Sequence, residues 1–451
     1  MRWLLNVVYC GLLLLLSPVI LWRSARHGRY RRGLSQKIFG RLPQTPGDLP
    51  VAWFHAVSVG EVVQLEKIVG QFRKQTGSAY RIVVTSSTDT GYDLAVKRFS
   101  DADVSWFPLD FSWAVSRALQ NVRPAIVVLM ELELWPNFIT ECDRRGIQVA
   151  VINARMSDHS VRGYLRIRPF IAPVLRRLSL VAAQSQQYAE RLISLGANPQ
   201  CVFVTGSIKF DGVSTDPANE QTSRLRVLLG LQENDVVFIA GSTQAPEEQI
   251  ALNAWQQLKE NHPQLRMILV PRHKERFDEV AELCRQAGVS LLRRSAISAK
   301  RSEKSLPPIP LEERPVILLD TIGELSACWG LADMAFVGGS FGSRGGQNMI
   351  EPAGYGAVVM FGPNTSNFRD VVAAFRQAEA CIRLEQPSEL ADVLHTLYEN
   401  PELCQRLGEK ARNVVAAQQG ATELTCQLLC RQLDQSLVVG IPETVFQRAA
   451  A

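Results

Sequence analysis

The chain has 451 residues, of which 46% are hydrophobic and 21% are charged, and its formal net charge is +5. This composition excludes a disordered protein, and so modest a charge gives no reason to expect a nucleic-acid partner. A chain of this length is expected to form two cores of about 150–200 residues. The nine cysteines are scattered and odd in number, which argues against a disulfide framework or a zinc site and is typical of a reducing compartment.

An apolar segment from Trp3 to Trp22 begins the chain and has the length of a bilayer-spanning helix, about 20 residues. Cations follow it, with no acidic residue before Asp48: Arg23, Arg26, Arg29, Arg31, Arg32, Lys37 and Arg41. A cleaved signal peptide would carry its charge ahead of the apolar part. We therefore predict a membrane anchor over 1–22, spanning or lying in one leaflet, and a basic juxtamembrane segment over 23–49 that contacts anionic lipids from the cytoplasmic side.

Short apolar runs alternate with amphipathic stretches beyond residue 50, a pattern typical of buried parallel strands with helices between them. Strands are predicted in the first half over 51–57, 81–87, 103–109, 125–130, 148–154, 179–184 and 202–207. The pattern restarts after a polar linker at 211–224, with strands over 236–241, 266–271, 289–292, 316–320, 332–337 and 357–361.

This order predicts an α/β fold of two Rossmann-like, doubly wound domains facing a cleft. The domains are predicted over 50–210 and 225–430, with a C-terminal tail over 431–451. The polar, proline-rich stretch at 295–315 is predicted to be a mobile surface loop.

The motif GGSFGSRGGQNMIEP, residues 338–352, lies between a predicted strand and a helix predicted to begin near Asn348. Glycines let the backbone approach a ligand closely, and the free N–H groups at a helix start attract anions. Glu351 is placed in the first turn, where a carboxylate can reach ribose hydroxyls. The motif therefore predicts a nucleotide-phosphate pocket. The alternative is a sharp turn without a ligand, because the spacing matches neither G-x-G-x-x-G nor Walker A.

Polar side chains follow the predicted strands of the first half. Glu61 begins a helix and is either its cap or a general base, and the second role requires that burial raise its pKa. Glu131 is either a group that stabilises positive charge on a sugar-like centre or the partner of a nearby arginine. Further strand-end candidates are Asn153, Arg155, Ser207 and Lys209.

Three strand ends of the second half carry similar groups, in GSTQAPEE (241–248), PRHKERF (271–277) and DTIGEL (320–325). Arg272, Gly323 and Glu324 are the candidates there. His273 is expected to have only a supporting role, as a hydrogen-bonded scaffold residue.

Together these segments resemble the 3-deoxy-D-manno-octulosonic acid (Kdo) transferase family, the lipid A glycosyltransferases of Gram-negative bacteria. The resemblance covers nearly the whole chain and rests on HAVSVGEV (55–62), MELELWPN (130–137), INAR (152–155), TGSIKFD (205–211), PRHKERF (271–277), DTIGEL (320–325), FVGGS (336–340), GGQNMIE (345–351) and FGPNTSNFRD (361–370). It implies a GT-B fold with an N-terminal acceptor domain and a C-terminal domain that binds the CMP-sugar. It also implies the inner membrane as location.

The resemblance implies transfer of Kdo from CMP-Kdo to a lipid A precursor (lipid IVA), a tetraacylated, bisphosphorylated glucosamine disaccharide. It places the proton acceptor on Glu61 and transition-state stabilisers on Glu131 and Lys209. It implies CMP contacts at Pro271, Arg272, Ile322, Gly323, Glu324, Asn348, Met349, Ile350 and Glu351. CMP leaves with a single phosphate, which cations and helix-start amides can neutralise, so no metal or other cofactor is expected.

This chain departs from the family pattern locally, with Gln244 and Gln347 where many members have histidine and with Gly342 and Ser343 where a glutamate is usual. Two alternatives stay open. One is a GT-B glycosyltransferase that uses another nucleotide sugar, and the other is a membrane-tethered, non-catalytic binding protein.

Overall fold

A computed structural model describes residues 2–27, 31–297 and 314–433. The chain divides into two compact units, one formed by residues up to Asp211 together with those from Gln419 onward, the other by Gly212–Gln418. Most of the loop predicted at 295–315 and of the tail predicted at 431–451 lies outside the described residues.

The first unit contains a seven-stranded, all-parallel sheet in the order β3-β2-β1-β4-β5-β6-β7. Its strands are β1 Val51–His55, β2 Arg81–Ser86, β3 Asp103–Trp106, β4 Pro124–Met130, β5 Gln148–Ala154, β6 Leu180–Ala183 and β7 Val202–Val204. Alternate residues of one strand enter two different cores, Trp53 on one face and Phe54 on the other. Helices cover both faces, which is why these strands are apolar throughout.

The helices of the first unit are α1 Arg2–His27, α2 Leu34–Phe39, α3 Val59–Thr76, α4 Asp89–Arg98, α5 Ser112–Val122, α6 Pro136–Arg144, α7 Asp158–Arg166, α8 Arg168–Leu175 and α9 Gln186–Leu195. A single 3-10 turn, Ile208–Phe210, follows β7. All seven strands predicted for this half form, although several end two or three residues earlier than predicted.

The second unit contains another seven-stranded, all-parallel sheet, in the order β10-β11-β9-β8-β12-β13-β14. Its strands are β8 Val236–Thr243, β9 Leu265–Pro271, β10 Leu291–Arg293, β11 Val316–Leu318, β12 Met334–Val337, β13 Val358–Phe361 and β14 Ile382–Arg383. The two-residue edge strand β14 was not predicted, because two residues carry too little pattern.

The helices of the second unit are α10 Glu220–Leu228, α11 Glu247–Leu258, α12 Phe277–Gln286, α13 Leu325–Trp329, α14 Ile350–Tyr355, α15 Arg369–Gln377, α16 Glu389–Glu399 and α17 Pro401–Gln418. Helix α10 begins inside the segment predicted as a linker, 211–224. Helix α14 begins two residues after the predicted start near Asn348.

The last described helix, α18 Ala421–Leu433, corrects the predicted domain boundary. The sequence assigned residues up to 430 to the C-terminal domain, but α18 belongs to the first unit. Its buried Cys426 and Leu429 enter the core that contains α3. The buried Asp211 fixes its start, since its carboxylate accepts hydrogen bonds from the N–H groups of Gly420 (2.7 Å) and Thr422 (2.5 Å). An apolar helix face alone does not specify which of two cores it covers.

The N-terminal segment forms the helix α1, as predicted. Among the residues that the structure describes, however, no helix is both long enough and apolar enough to cross a membrane, so the spanning alternative is not confirmed. Part of the basic segment makes contacts within the first unit. Arg32 donates two hydrogen bonds to Asp93 (2.7 and 2.8 Å), and the Nζ atom of Lys37 lies 3.7 Å from the ring centre of Trp106.

Candidate active site

The chain crosses from one side of its sheet to the other between β3 and β4 in the first unit, where β4 pairs with β1, and between β11 and β12 in the second, where β12 pairs with β8. The switch points therefore lie between β1 and β4 and between β8 and β12. Ligands of open α/β sheets bind outside the carboxyl ends of the strands at such a switch point. Glu61 and Glu131 follow β1 and β4, and the glycine motif follows β12. The topology thus brings Glu61 and Glu131 of the first unit, and the glycine motif of the second, to the point where each fold favours a ligand.

Glu61 lies in the first turn of α3, and both alternatives proposed for it have a structural basis. Its carboxylate accepts hydrogen bonds from the Val57 N–H (2.9 Å) and the Ser58 hydroxyl (2.8 Å), while Ser58 caps the helix. Glu61 therefore belongs to a capping box. Burial nevertheless raises the pKa of Glu61, against the lowering effect of these hydrogen bonds. A pKa raised by burial, which the role of general base requires, is therefore present in Glu61.

Glu131 follows β4 with a positive φ of 54°, in the left-handed region that non-glycine residues seldom adopt. Arg155, after β5, donates a hydrogen bond from Nε to the Glu131 carboxylate (3.0 Å). The arginine alternative for Glu131 is therefore realised. The strained backbone turns this carboxylate at a strand end, and outliers of this kind cluster at functional sites.

Asn153 is a buried scaffold residue, also with a positive φ of 54°. Its side chain donates to Gln64 of α3 (2.8 Å) and accepts from the N–H of Ile208 (3.3 Å). This links the helix that carries Glu61 to the 3-10 turn that carries Lys209. Asn153 therefore positions the candidate residues rather than adding a reactive group.

Glu133 was not among the predicted site residues. Burial, reinforced by the negative charge of nearby Glu61, raises the pKa of Glu133 to about 7. Two carboxyl groups of one site whose pKa values are both raised are a recognised mark of functional sites. The signal in the sequence was the second glutamate of MELEL, but spacing alone does not say which of the two is buried.

Glu247 organises the glycine motif in the second unit, and the sequence analysis missed this too. Only 1% of it is exposed. One carboxylate oxygen accepts from the N–H groups of Ser340 (2.9 Å) and Phe341 (3.0 Å). The other accepts from Gly339 (2.7 Å) and Gln244 (3.0 Å). A buried carboxylate thus holds the loops after β8 and β12 together at the switch point.

Two glycines of the motif are required by its geometry. A Cβ atom on Gly338 would lie 2.5 Å from the Cα of Thr243, and one on Gly345 would lie 2.2 Å from the hydroxyl oxygen of Ser366. Gly345 also has a φ of 81°, which favours glycine. These two glycines therefore allow close packing between segments of the protein itself.

Asn348 and Glu351 are joined by a hydrogen bond from the Asn348 amide to the Glu351 carboxylate (2.8 Å). The side chains of Met349 and Ile350 between them are buried in the core. The side chains of these two residues are therefore not available to a ligand. The Asn348 side chain also accepts the N–H of Ile350 (3.1 Å), which places it at the helix start.

The remaining candidates lie at the ends of β9 and β11. Arg272 is exposed directly after Pro271, and its main-chain N–H donates to Thr243 (3.0 Å). Ile322 is 80% exposed, unusually so for a large apolar side chain. The Glu324 carboxylate is held by the guanidinium of Arg294 (2.8 Å), so it acts as a scaffold residue for the DTIGEL loop.

The two parallel α/β units and their switch-point residues define a two-domain enzyme of the GT-B type. A glycosyltransferase from Rickettsia africae shares this fold, with 12% identity and a TM-score of 0.53 over 86% of this chain and 99% of that chain. At this identity the similarity concerns the fold alone.

Sequence comparison identifies the family. The family profile described as 3-deoxy-D-manno-octulosonic-acid transferase (kdotransferase) matches residues 25–212. The 3-deoxy-D-manno-octulosonic acid transferase of Haemophilus influenzae is 31% identical, over 95% of this chain and 99% of that protein. The enzyme of the same name from Bordetella pertussis is 32% identical, over 92% and 96%. The chain therefore belongs to the Kdo transferase family of glycosyltransferases.

Proposed function

We propose that the protein transfers Kdo from CMP-Kdo to a hydroxyl group of a lipid A precursor, a tetraacylated, bisphosphorylated glucosamine disaccharide. Family membership supports Kdo as the transferred group. The observation that carries the mechanism is that Glu61, at the switch point of the first unit, has a carboxyl group with a raised pKa. A base with such a pKa can accept a proton near neutral pH more readily than an ordinary glutamate.

In the proposed reaction, Glu61 takes the proton of the acceptor hydroxyl while the hydroxyl oxygen attacks the anomeric carbon of Kdo. The bond from that carbon to the phosphate oxygen breaks, and CMP leaves with the electron pair. Attack opposite the leaving group inverts the anomeric centre. Glu131, held by Arg155, and Lys209 stabilise the charges that develop on the sugar and the phosphate.

The donor is proposed to bind the second unit through its nucleotide. Glu351 contacts the ribose, and the Asn348 side chain contacts the phosphate at the start of α14, next to Met349 and Ile350. Arg272 adds a positive charge next to Pro271. The exposed Ile322 packs against the base, beside the main chain of Gly323 and Glu324. The cations and amides neutralise a single phosphate without a metal.

Glu61→Gln tests the assignment. We expect a folded variant that binds CMP normally but whose turnover falls by about 10²-fold or more, because an amide cannot accept the proton. Glu66→Gln on the same helix is the matched control and should retain activity. The assay incubates each protein with CMP-Kdo and lipid IVA and weighs the lipid product by mass spectrometry. Near-normal turnover of Glu61→Gln would show that Glu61 is not the general base.

The same assay separates the alternatives. A lipid product whose added mass is not that of Kdo, or turnover only with another nucleotide sugar, would identify a different GT-B glycosyltransferase. A wild-type protein that binds both substrates without forming product would be a non-catalytic binding protein.

We also propose that the protein associates with the inner membrane from its cytoplasmic face. Large apolar side chains are exposed along α1: Trp3, Val7, Val8, Leu12, Leu13, Leu14, Leu15, Leu16, Val19, Leu21 and Trp22. An exposed apolar surface of this extent favours a lipid environment. The helix is also attached to the first unit, since Asn6 donates to the Ser112 hydroxyl (2.7 Å) and Tyr9 to the Asp110 carboxylate (2.9 Å).

Deleting residues 1–22 should release the protein from anionic lipid vesicles in a flotation assay at high salt. At low salt, the remaining cations should retain weak binding. A truncated protein that stays on the vesicles at high salt would show that another surface makes the attachment.

A further inference from the structure

Three metal-ligating side chains meet at the amino-terminal edge of the second sheet. His262 lies in the turn between α11 and β9, and His395 and Glu399 lie four residues apart on α16. Nε2 of His262 is 2.9 Å from Nδ1 of His395, and Nδ1 of His262 is 3.4 Å from the Glu399 carboxylate. One ligand atom from each residue falls within 4.8 Å of the others. The proposed donor residues follow their strands, so this cluster lies at the opposite edge of the sheet.

We propose that His262, His395 and Glu399 form a binding site for a divalent transition-metal ion of the Zn²⁺ class. Two imidazoles and one carboxylate are a donor set typical of zinc, with water completing a tetrahedron. Metal–nitrogen bonds of about 2.0–2.1 Å place two tetrahedral nitrogen ligands roughly 3.3 Å apart. Nε2 of His262 and Nδ1 of His395 therefore need to separate by only a few tenths of an ångström. The exposed Glu399 carboxylate, which contacts Nδ1 of His262, has to move toward Nε2 to reach the same ion.

The burial of the three residues suits such a site. His262 is only 4% exposed, and its ring packs against that of Tyr398, with a centroid distance of 4.3 Å. Its main chain is fixed as well, because its N–H donates to Leu258 (2.9 Å) and its carbonyl accepts from Leu265 (3.0 Å). One ligand is thus preorganised, whereas His395 and Glu399 are exposed and can adjust. An ion can reach the site from the solvent.

The i, i+4 spacing puts His395 and Glu399 on one face of α16, the arrangement by which a helix supplies two ligands to one ion. Because His262 comes from the turn after α11, a bound ion joins α16 to that turn. The site is therefore a clamp between two elements of the second unit. It lies away from the transfer chemistry, so its occupancy is expected to change stability rather than Kdo transfer.

Cobalt(II) is the probe, because its visible absorption reports the ligands. The full-length protein, treated with chelator and desalted, is titrated with Co²⁺. We expect one ion per chain, with visible bands of a four-coordinate site and no thiolate-to-cobalt charge-transfer band, followed by displacement on adding Zn²⁺. The absence of a thiolate band matters because the chain contains nine free cysteines that can also bind these ions.

The variants His395→Ala and Glu399→Gln change exposed side chains and should fold normally, as circular dichroism can verify. Each is expected to weaken Co²⁺ binding by about tenfold or more, in line with the loss of a ligand. His159→Ala, which removes a histidine of the first unit, is the matched control and should bind as the wild type does. Equal binding by wild type and His395→Ala, or a thiolate band in the wild type, would overturn the proposal. The cluster would then be a hydrogen-bonded chain of side chains only.

Discussion

The carboxylate of Glu247 accepts hydrogen bonds from three main-chain N–H groups of the glycine motif and from that of Gln244, and Glu247→Gln tests how much they stabilise the motif. In either orientation of the glutamine, its NH₂ group faces two main-chain N–H groups, those of Ser340 and Phe341 or those of Gly339 and Gln244. Two hydrogen bonds to a charged group are lost, at about 1.5–3 kcal/mol each. The motif should therefore become easier to open by about 3–6 kcal/mol.

Hydrogen exchange measured by mass spectrometry reports this opening locally, which matters because a two-unit chain need not unfold in one step. The predicted change corresponds to roughly 10²- to 10⁴-fold faster exchange of the amides in residues 338–346. CMP affinity, measured by calorimetric titration, should fall with it, since the proposed phosphate contacts follow directly after this loop.

Glu248→Gln is the matched control. Glu248 is the neighbouring buried carboxylate, but it pairs with Arg276 (2.5 Å) and not with the glycine motif. Its replacement should destabilise that ion pair and leave the exchange of residues 338–346 unchanged. If Glu247→Gln exchanges like the wild type, or if Glu248→Gln loses as much protection, the role given to Glu247 is wrong.

Three further results are expected. The carboxyl of Glu133 has a pKa of about 7 against an ordinary 4.5, so the folded protein retains a proton that the unfolded chain has lost between these values. The stability of the wild type should fall as pH rises through this window, whereas the melting temperature of Glu133→Gln should depend less on pH. Melting temperatures that change equally with pH in both proteins would contradict this. Glu351→Ala should bind CMP about ten- to a hundredfold more weakly while lipid acceptor binding stays unchanged, and unchanged CMP affinity would restore the interpretation of a ligand-free turn. Asn6→Leu should leave the Ser112 N–H without its 3.1 Å acceptor and make α1 more sensitive to protease, without altering CMP affinity; unchanged proteolysis would show that other contacts hold the helix.

Local pattern was sufficient for every strand of both sheets except the two-residue edge strand β14. A strand such as Val51–His55 is apolar on both faces because helices cover both, and this continuous pattern is visible without the fold. The carboxyl ends of parallel strands share one edge of a sheet, so Glu61 and Glu131 were recognisable as candidates from their positions after strands. The family was also recognisable from the sequence, because its motifs are runs of neighbouring residues in a fixed order along the chain.

The contacts that decide the state of these residues join distant parts of the chain. Glu247 reaches Ser340 across 93 positions, and Asp211 holds the start of α18 across 209. The choice of core by α18, the pKa of Glu133 and the meeting of His262 with His395 depend on packing between such segments.

By itself, then, the sequence determined the parallel α/β class, the positions of all strands but β14, the family and the candidate catalytic glutamate. Each of these depends on neighbouring residues or on which residues follow a strand. Only the tertiary structure decided which carboxylates are buried and which are held by arginines or amides. It also gives the polar Asn6 of the apolar helix α1 its partner, Ser112. Burial and hydrogen bonding depend on what surrounds a side chain, and in this fold the surroundings come from other segments of the chain.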